Sequence, residues 1–160
     1  MYTQSVKTLM GIALLLAGMV AANIAVAKVV TGNFQVADGV AIYIGLMPAQ
    51  IVQGHPVDHE ESRMHDGVPG GSAPVHLVVT LFDDATGQRI TNAFVKAEVV
   101  ELGLAPQRKD LEMMHIADTV SYGNYFSLQS EAPYRIRLVI QLPERDEVVE
   151  ATFSHSHNPQ

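Results

Sequence analysis

Residues 133–142 read P-Y-R-I-R-L-V-I-Q-L, and they decide the fold class of this chain. Every second side chain in this stretch is large and apolar: Tyr134, Ile136, Leu138, Ile140 and Leu142. The side chains between them are Arg135, Arg137, Val139 and Gln141. Because successive side chains of a strand point to opposite faces of a sheet, this alternation predicts a β-strand with one buried face.

Similar short stretches, separated by Gly, Pro and Asp turns, follow one another along residues 28–157. They predict strands at residues 33–36, 40–47, 76–82, 90–102, 111–117, 125–128, 133–142 and 148–155. A loop is expected at residues 103–110, and a turn at Tyr122-Gly123-Asn124. No segment after residue 28 has a long apolar period of 3.6 residues. We therefore predict an all-β protein, a single antiparallel immunoglobulin-like β-sandwich of about seven strands.

Residues 1–27 are typical of an export signal. Lys7 ends a short basic region, and residues 8–27 carry no charge and are rich in Leu, Ala, Val and Met. Ala25-Val26-Ala27 is an A-x-A cleavage site, which places the mature start at Lys28. The alternative is an uncleaved anchor, since roughly 20 apolar residues can cross a bilayer. The remainder is accordingly predicted to be periplasmic, or anchored in the inner membrane and facing the periplasm.

Composition limits the function classes. The chain has no cysteine, which excludes a lipoprotein anchor, a disulfide framework and thiolate metal sites. Its 10 basic and 17 acidic residues give a formal net charge of −7, which disfavours nucleic acid and anionic membrane surfaces as partners. Contact with a membrane is expected only if residues 1–27 remain attached. The length of residues 28–157 suits one domain, followed by a short tail at residues 158–160.

A His-rich loop is predicted at residues 53–75, leading into the strand that starts with His76. Four of the seven histidines lie in or beside it: His55, His59, His65 and His76. Glycines and prolines exclude a long helix or strand across its second half. A loop of this length in a small domain is uncommon and is usually functional or disordered.

The chemistry of this loop predicts a metal site whose ligands are His76, His65, Met64 and His59, with His55 as a further donor. Imidazole and thioether donors together suit copper, and Cu(I) especially. Zinc or another divalent transition metal is the alternative, bound by imidazole and carboxylate. Neutral imidazole is the binding form, so metal uptake is expected to weaken below about pH 6. The alternative is a polar, disordered loop whose histidines bind no metal.

Two smaller groups of donors lie elsewhere. In a strand, Met113 and His115 share a face and would contribute to the metal site if the fold brings them near His76. Core packing is the alternative for at least one of Met113 and Met114. His155 and His157 would also share a face of a strand, although a position near the end of the chain favours a frayed tail.

Two stretches resemble the small exported immunoglobulin-like domains of the YtkA-like and FixH-like kind. In these domains a D-x-x-G-x-x-v-x-x-A-x-V hairpin precedes a G-x-Y and a P-Y-x-I-x-V strand. The matching positions here are Asp84, Gly87, Ala93, Val95, Gly123, Tyr125, Pro133, Tyr134 and Ile136. The pattern covers about half of the chain after residue 27 and is mostly typical of the fold. The resemblance implies a sandwich fold and a link with copper handling or oxidase assembly.

Catalysis has little support in the sequence. The chain has no cysteine nucleophile and no G-x-S-x-G, H-E-x-x-H or phosphate-loop motif. We therefore predict a binding protein and not an enzyme: an exported copper carrier, chaperone or buffer. Its partners would be the metal ion and an exported or membrane protein that receives it. The alternative is a structural or interaction module of the cell envelope without a metal, using a strand edge or the apolar residues 40–52.

Overall fold

The computed structural model describes residues 29–49, 51, 69, 74–116, 118–128 and 132–155. These residues form an all-β domain, which confirms the predicted class. Nine strands are present in chain order: β1 (Val29–Thr31), β2 (Phe34–Ala37), β3 (Val40–Pro48), β4 (Pro74–Asp83), β5 (Phe94–Glu101), β6 (Gln107–Ile116), β7 (Thr119–Ser127), β8 (Tyr134–Gln141) and β9 (Val149–His155).

The expected export signal at residues 1–27 and the tail at 158–160 lie outside the described residues. Among the residues that are described, no helix is long and apolar enough to cross a membrane.

Five of the eight predicted strands begin and end within two residues of the predicted positions, but three local predictions are wrong. Residues 90–93 were expected in a strand and instead precede β5. Residues 107–110 were expected in a loop and instead begin β6, where Arg108 and Asp110 form ion pairs with Glu98 and Lys96 of β5. Tyr122-Gly123-Asn124 was expected to form a turn and instead lies in the middle of β7. The short β1 was not predicted.

The strands form one continuous sheet in the order β1-β9-β8-β5-β6-β7-β4-β3-β2. β6 joins its two halves: Gln107–Leu111 pairs with β5, and Glu112–Ile116 pairs with β7. At the other side, β1 pairs in parallel with β9 while β2 pairs with β3. Gly32 connects β1 to β2 with a φ of 130°, a conformation that favours glycine.

This arrangement replaces the sandwich of about seven strands that the sequence predicted. In a sandwich, each strand pairs within only one of two separate sheets. Here β6 is long enough to pair with β5 in one half and with β7 in the other. The sheet therefore curls into a nearly closed barrel with β1 and β2 at its two ends, linked by Gly32 and Asn33. Its interior is filled by side chains from both halves, the largest being Tyr122, Phe126, Phe153, Ile42, Leu77, Leu81, Ile136, Leu138 and Ile140.

Tyr122 closes the sheet at the point where β6 leaves β5. Its ring is buried, and its hydroxyl accepts a hydrogen bond of 3.0 Å from the backbone N–H of Ala93, just before β5. Burial also raises the pKa of this hydroxyl. The side chain thus takes the place of a missing strand neighbour for one backbone donor.

We expect Tyr122→Phe to lower the free energy of unfolding by about 1–2 kcal/mol, because the Ala93 N–H loses its acceptor. The measurement is urea denaturation of the two proteins. Tyr43→Phe is the matched control, since the exposed Tyr43 hydroxyl bonds to no described residue, and it should change stability by less than about 0.5 kcal/mol. Equal effects of the two changes would contradict this role of Tyr122.

Candidate metal site

The candidate site lies on the outer face of the half-sheet formed by β3, β4, β7 and β6, opposite the hydrophobic core. Along β4, Leu77, Val79 and Leu81 point into the core. His76 therefore points outward, since neighbouring residues of a strand alternate between faces. It is nevertheless fully buried, at 0% exposure.

Gly123 creates the space that His76 occupies. A Cβ atom at Gly123 would lie 2.9 Å from both His76 Nε2 and the Leu77 carbonyl oxygen, and it would overlap Met114 Cε. The imidazole of His76 and the thioether side chain of Met114 therefore both pack over the same glycine. Met114 is as fully buried as His76. The structure thus brings a nitrogen donor and a sulfur donor together on the outer face.

Strand register explains this meeting. His76 pairs with Tyr125 of β7 and with Met47 of β3, so the three side chains form one row on the outer face. Gly123 lies in the next row. The Tyr125 ring stacks on the His76 ring, with centroids 4.6 Å apart and planes inclined by 26°. This stacking fixes the plane of the imidazole beside Gly123.

Met113 and His115, which were predicted to contribute to the site, do not lie near His76. Both lie on one face of β6, but Met114 lies on the other, and only that face is directed at His76. Met113 is 51% exposed and lines an open cleft with Phe94 and Tyr122. The structure therefore separates Met113 and His115 from His76 and places Met114 there.

The other predicted ligands, His55, His59, Met64 and His65, lie outside the described residues. The two ends of their segment are nevertheless fixed, because Pro48 at the end of β3 pairs with Val75 at the start of β4. The next pair along the strands is Met47 with His76. His76 therefore lies within two residues of the point where β3 and β4 are joined by the connection between Pro48 and Pro74.

His76 and Met114 fit a soft metal ion in their chemistry. A carboxylate is also near, since Glu112 pairs with Gly123 and shares the outer face with Met114. No group of three or more His, Asp or Glu side chains able to hold a metal ion occurs among the residues that the structure describes. The described donors are therefore a thioether and an imidazole, to which further ligands would have to be added.

His155, the third predicted donor, lies at the same end of the barrel but faces its interior. It pairs with Tyr134 of β8, and the two rings stack with centroids 5.2 Å apart. Its Nε2 is buried and has no hydrogen-bond partner among the described residues, and burial lowers the pKa of the imidazole below 6.5. His157 lies outside the described residues.

Sequence reasoning missed Met114 and Gly123. A strand prediction already shows that Met113 and Met114 face opposite ways, but the choice between them depends on strand register. Gly123 resembled a turn residue because it stands between polar neighbours. Its conformation in β7 needs no glycine, so only the side chains from β4 and β6 reveal its role.

No protein-family model and no curated protein sequence matches this chain. Solved structures with the same fold do exist. A DUF4426 family protein from Pseudomonas aeruginosa PAO1 has a TM-score of 0.61 and 9% identity, over 79% of this chain and 94% of that one. FetP of uropathogenic Escherichia coli strain F11, expressed in the periplasm, has a TM-score of 0.58 and 14% identity, over 79% and 93%.

Copper-reconstituted P19 from Campylobacter jejuni has a TM-score of 0.54 and 14% identity, over 81% of this chain and 97% of that one. At these identities the similarity establishes the fold alone. It confirms the expected small β-rich domain, and the resemblance to YtkA-like and FixH-like domains stays a prediction.

We expect Gly123→Ala to lower the free energy of unfolding by about 1–3 kcal/mol, because the new methyl group would overlap His76, Met114 and a backbone oxygen. Gly45→Ala is the matched control. Gly45 lies in the same row of the sheet, two strands away, and nothing is within 4 Å of its would-be Cβ. Its substitution should leave stability unchanged or raise it by up to about 1 kcal/mol. Equal effects in urea denaturation would show that the site is not tightly packed.

A second prediction concerns His155. Since burial lowers its folded-state pKa, the unfolded chain takes up the proton first as the pH falls. The stabilisation is present above the ordinary histidine pKa of about 6.5 and is lost as the pH falls through the lowered value. Wild type should therefore lose more stability between about pH 7 and pH 5 than His155→Gln does. An NMR titration midpoint for His155 at or above 6.5 would contradict this.

Proposed function

We propose that this protein is an exported copper-binding protein that carries, delivers or buffers Cu(I). The observation that carries the proposal is the buried contact of the His76 imidazole and the Met114 thioether over Gly123. Neither side chain belongs to the hydrophobic core on the other face of the sheet. The role is binding and transfer, without a chemical step.

The donor set favours Cu(I) over zinc. A thioether is a soft ligand, and soft ligands select Cu(I), whereas zinc prefers imidazole, carboxylate and thiolate. The chain has no cysteine to supply a thiolate. Methionine therefore provides the soft donor, and zinc or another divalent ion remains the less favoured cargo.

The remaining ligands in this proposal come from the His-rich segment. His59, Met64 and His65, with His55 as a further donor, supply the imidazole and thioether groups that His76 and Met114 lack for a complete coordination shell. Pro48 and Val75 hold both ends of the segment beside His76. Metal binding would thus bring these donors onto the outer face of the sheet.

Three further points support the proposal. FetP and P19, which share the fold, have structures with copper bound. The export signal predicted at residues 1–27 would place the protein in the periplasm or tether it to the inner membrane, where a receiving protein would be exported or membrane-bound. The formal net charge of −7 attracts a metal cation.

The test is a Cu(I) titration of the purified protein against a competing chelator. Met114→Leu keeps the volume of the side chain and removes the sulfur, so we expect roughly tenfold weaker Cu(I) binding with an almost unchanged affinity for Zn(II). Met113→Leu is the matched control and should leave Cu(I) binding as in wild type, because Met113 faces the opposite side of β6.

A second pair of variants tests the His-rich segment. His59→Ala combined with His65→Ala should weaken Cu(I) binding without affecting stability in the absence of metal. Wild-type binding no tighter than that of an unstructured histidine-containing peptide would overturn the proposed function. Loss of binding in Met113→Leu and not in Met114→Leu would instead move the site to the other face of β6.

A further inference from the structure

An aromatic ladder lies on the outer face of β2, β3 and β4, towards the end of the sheet away from His76. The Phe34 and Tyr43 rings are neighbours with centroids 4.6 Å apart, and the Phe82 ring meets Tyr43 edge-on at 5.7 Å. Phe34 pairs with Tyr43 across β2 and β3, and Ala41 pairs with Phe82 across β3 and β4. The three rings therefore form a continuous strip across the strands.

The apolar side chains of the ladder are largely exposed to solvent. Phe34 is 44% exposed, Tyr43 is 47% exposed, and the neighbouring Val36 is 43% exposed. With Ala41 and the turn after β4, the ladder lines an open cleft of about 520 Å³. Contiguous apolar surface of this kind, bordered by polar groups, marks interaction sites on exported and other domains alike.

Two carboxylates border the cleft. Asp83 and Asp84 line it together with the three rings. The Asp83 carboxylate accepts hydrogen bonds of 2.8 and 2.7 Å from the backbone N–H and the hydroxyl of Thr86, which lower its pKa and keep it ionised. The exposed Asp84 carboxylate forms no hydrogen bond or ion pair with a described residue. It is available to a ligand.

The chain itself shows which group these rings accept. The guanidinium carbon of Arg89 lies 4.7 Å from the centre of the Phe82 ring, which is a cation–π distance. Phe34 and Tyr43 also present exposed aromatic faces, and no described arginine or lysine lies over either ring. A second cation on the ladder would therefore stack on a ring and reach the free carboxylate.

We propose that the aromatic ladder and Asp84 form a docking surface for a protein partner that presents an arginine- or lysine-containing apolar segment. A basic side chain would stack on Tyr43 and Phe34 and pair with Asp84, while apolar neighbours in the segment cover the cleft. This combination of aromatic and charged contacts is typical of residues that dominate binding energy at interfaces.

The charge of the chain argues for a basic partner. With a formal net charge of −7, two copies of this protein repel each other, as do the protein and an anionic membrane. An isolated small cation would leave most of the open cleft uncovered, whereas a peptide segment buries its apolar walls. Because the ladder shares the outer face with His76 and Met114, a docked partner would lie beside that pair. The docking itself does not depend on copper.

The test uses three hexapeptides with alternating residues: arginine and leucine, serine and leucine, and glutamate and leucine. Binding to the purified protein is followed by NMR shifts and calorimetry at low salt. We expect the arginine peptide alone to bind measurably, with shifts at Phe34, Tyr43, Phe82 and Asp84. Its affinity should fall as salt is added, because exposed charge pairs are screened.

Matched variants assign the contacts. Tyr43→Ala and Asp84→Asn should each weaken binding of the arginine peptide about two- to fivefold, the range for one exposed cation–π contact or ion pair. Phe94→Ala and Asp110→Asn are the controls, since they remove an exposed ring on β5 and an exposed carboxylate on β6, which both line a different cleft. They should leave the affinity unchanged.

Three outcomes would overturn the proposal. Equal binding of the serine peptide would indicate an apolar patch without charge selection. Equal weakening by the control variants would indicate a diffuse effect of charge or hydrophobicity. Shifts confined to another part of the surface would place the basic ligand elsewhere. None of these outcomes concerns Cu(I) affinity, so the two proposals can fail separately.

Discussion

The path of β6 constrains the rest of the molecule. Its first half must keep register with β5, through pairs such as Val95 with Leu111, and its second half must keep register with β7, through pairs such as Glu112 with Gly123. A slip of one residue in either half would turn every side chain of that half to the other face. This double register holds the two halves of the sheet together around one core, and it also decides that Met114, not Met113, is directed at His76.

Near His76, both faces of β4 and β7 are buried. An antiparallel sheet needs only one buried face to form a core, so burial of the outer face needs a separate explanation. The inner face accounts for the stability of the fold, since its aliphatic and aromatic side chains remove a large apolar area from water. The outer face carries an imidazole, a thioether and a glycine. Of these, only the thioether gains much from burial, so packing energy alone does not explain this choice of residues. The proposed soft metal ion would explain it, because both side chains would be ligands.

Sequence reasoning succeeded where the signal is local. The alternation around Ile136 and Leu138 in β8 depends on one strand and its own periodicity, and the structure reproduces it. It failed where the signal comes from a partner strand. Residues 108–110 are charged and resembled a loop, but Arg108 pairs with Glu98 and Asp110 with Lys96 of β5, and Lys109 lies over the Phe126 ring of β7. The role of Gly123 is likewise set by Met114 and His76, which lie nine and 47 residues earlier in the chain, so no local pattern could reveal it.

A carrier must hold its cargo firmly and still release it. If His76 and Met114 are the fixed donors, their geometry is held by the stacked Tyr125 ring and the close packing over Gly123. Fixed donors lower the ordering cost of binding. In the proposed carrier, the remaining donors would come from the connection between β3 and β4, whose ends are held by the pairing of Pro48 with Val75, so each could be exchanged for a ligand from a partner without breaking the sheet. A division between two fixed donors and several exchangeable ones would therefore reconcile affinity with transfer.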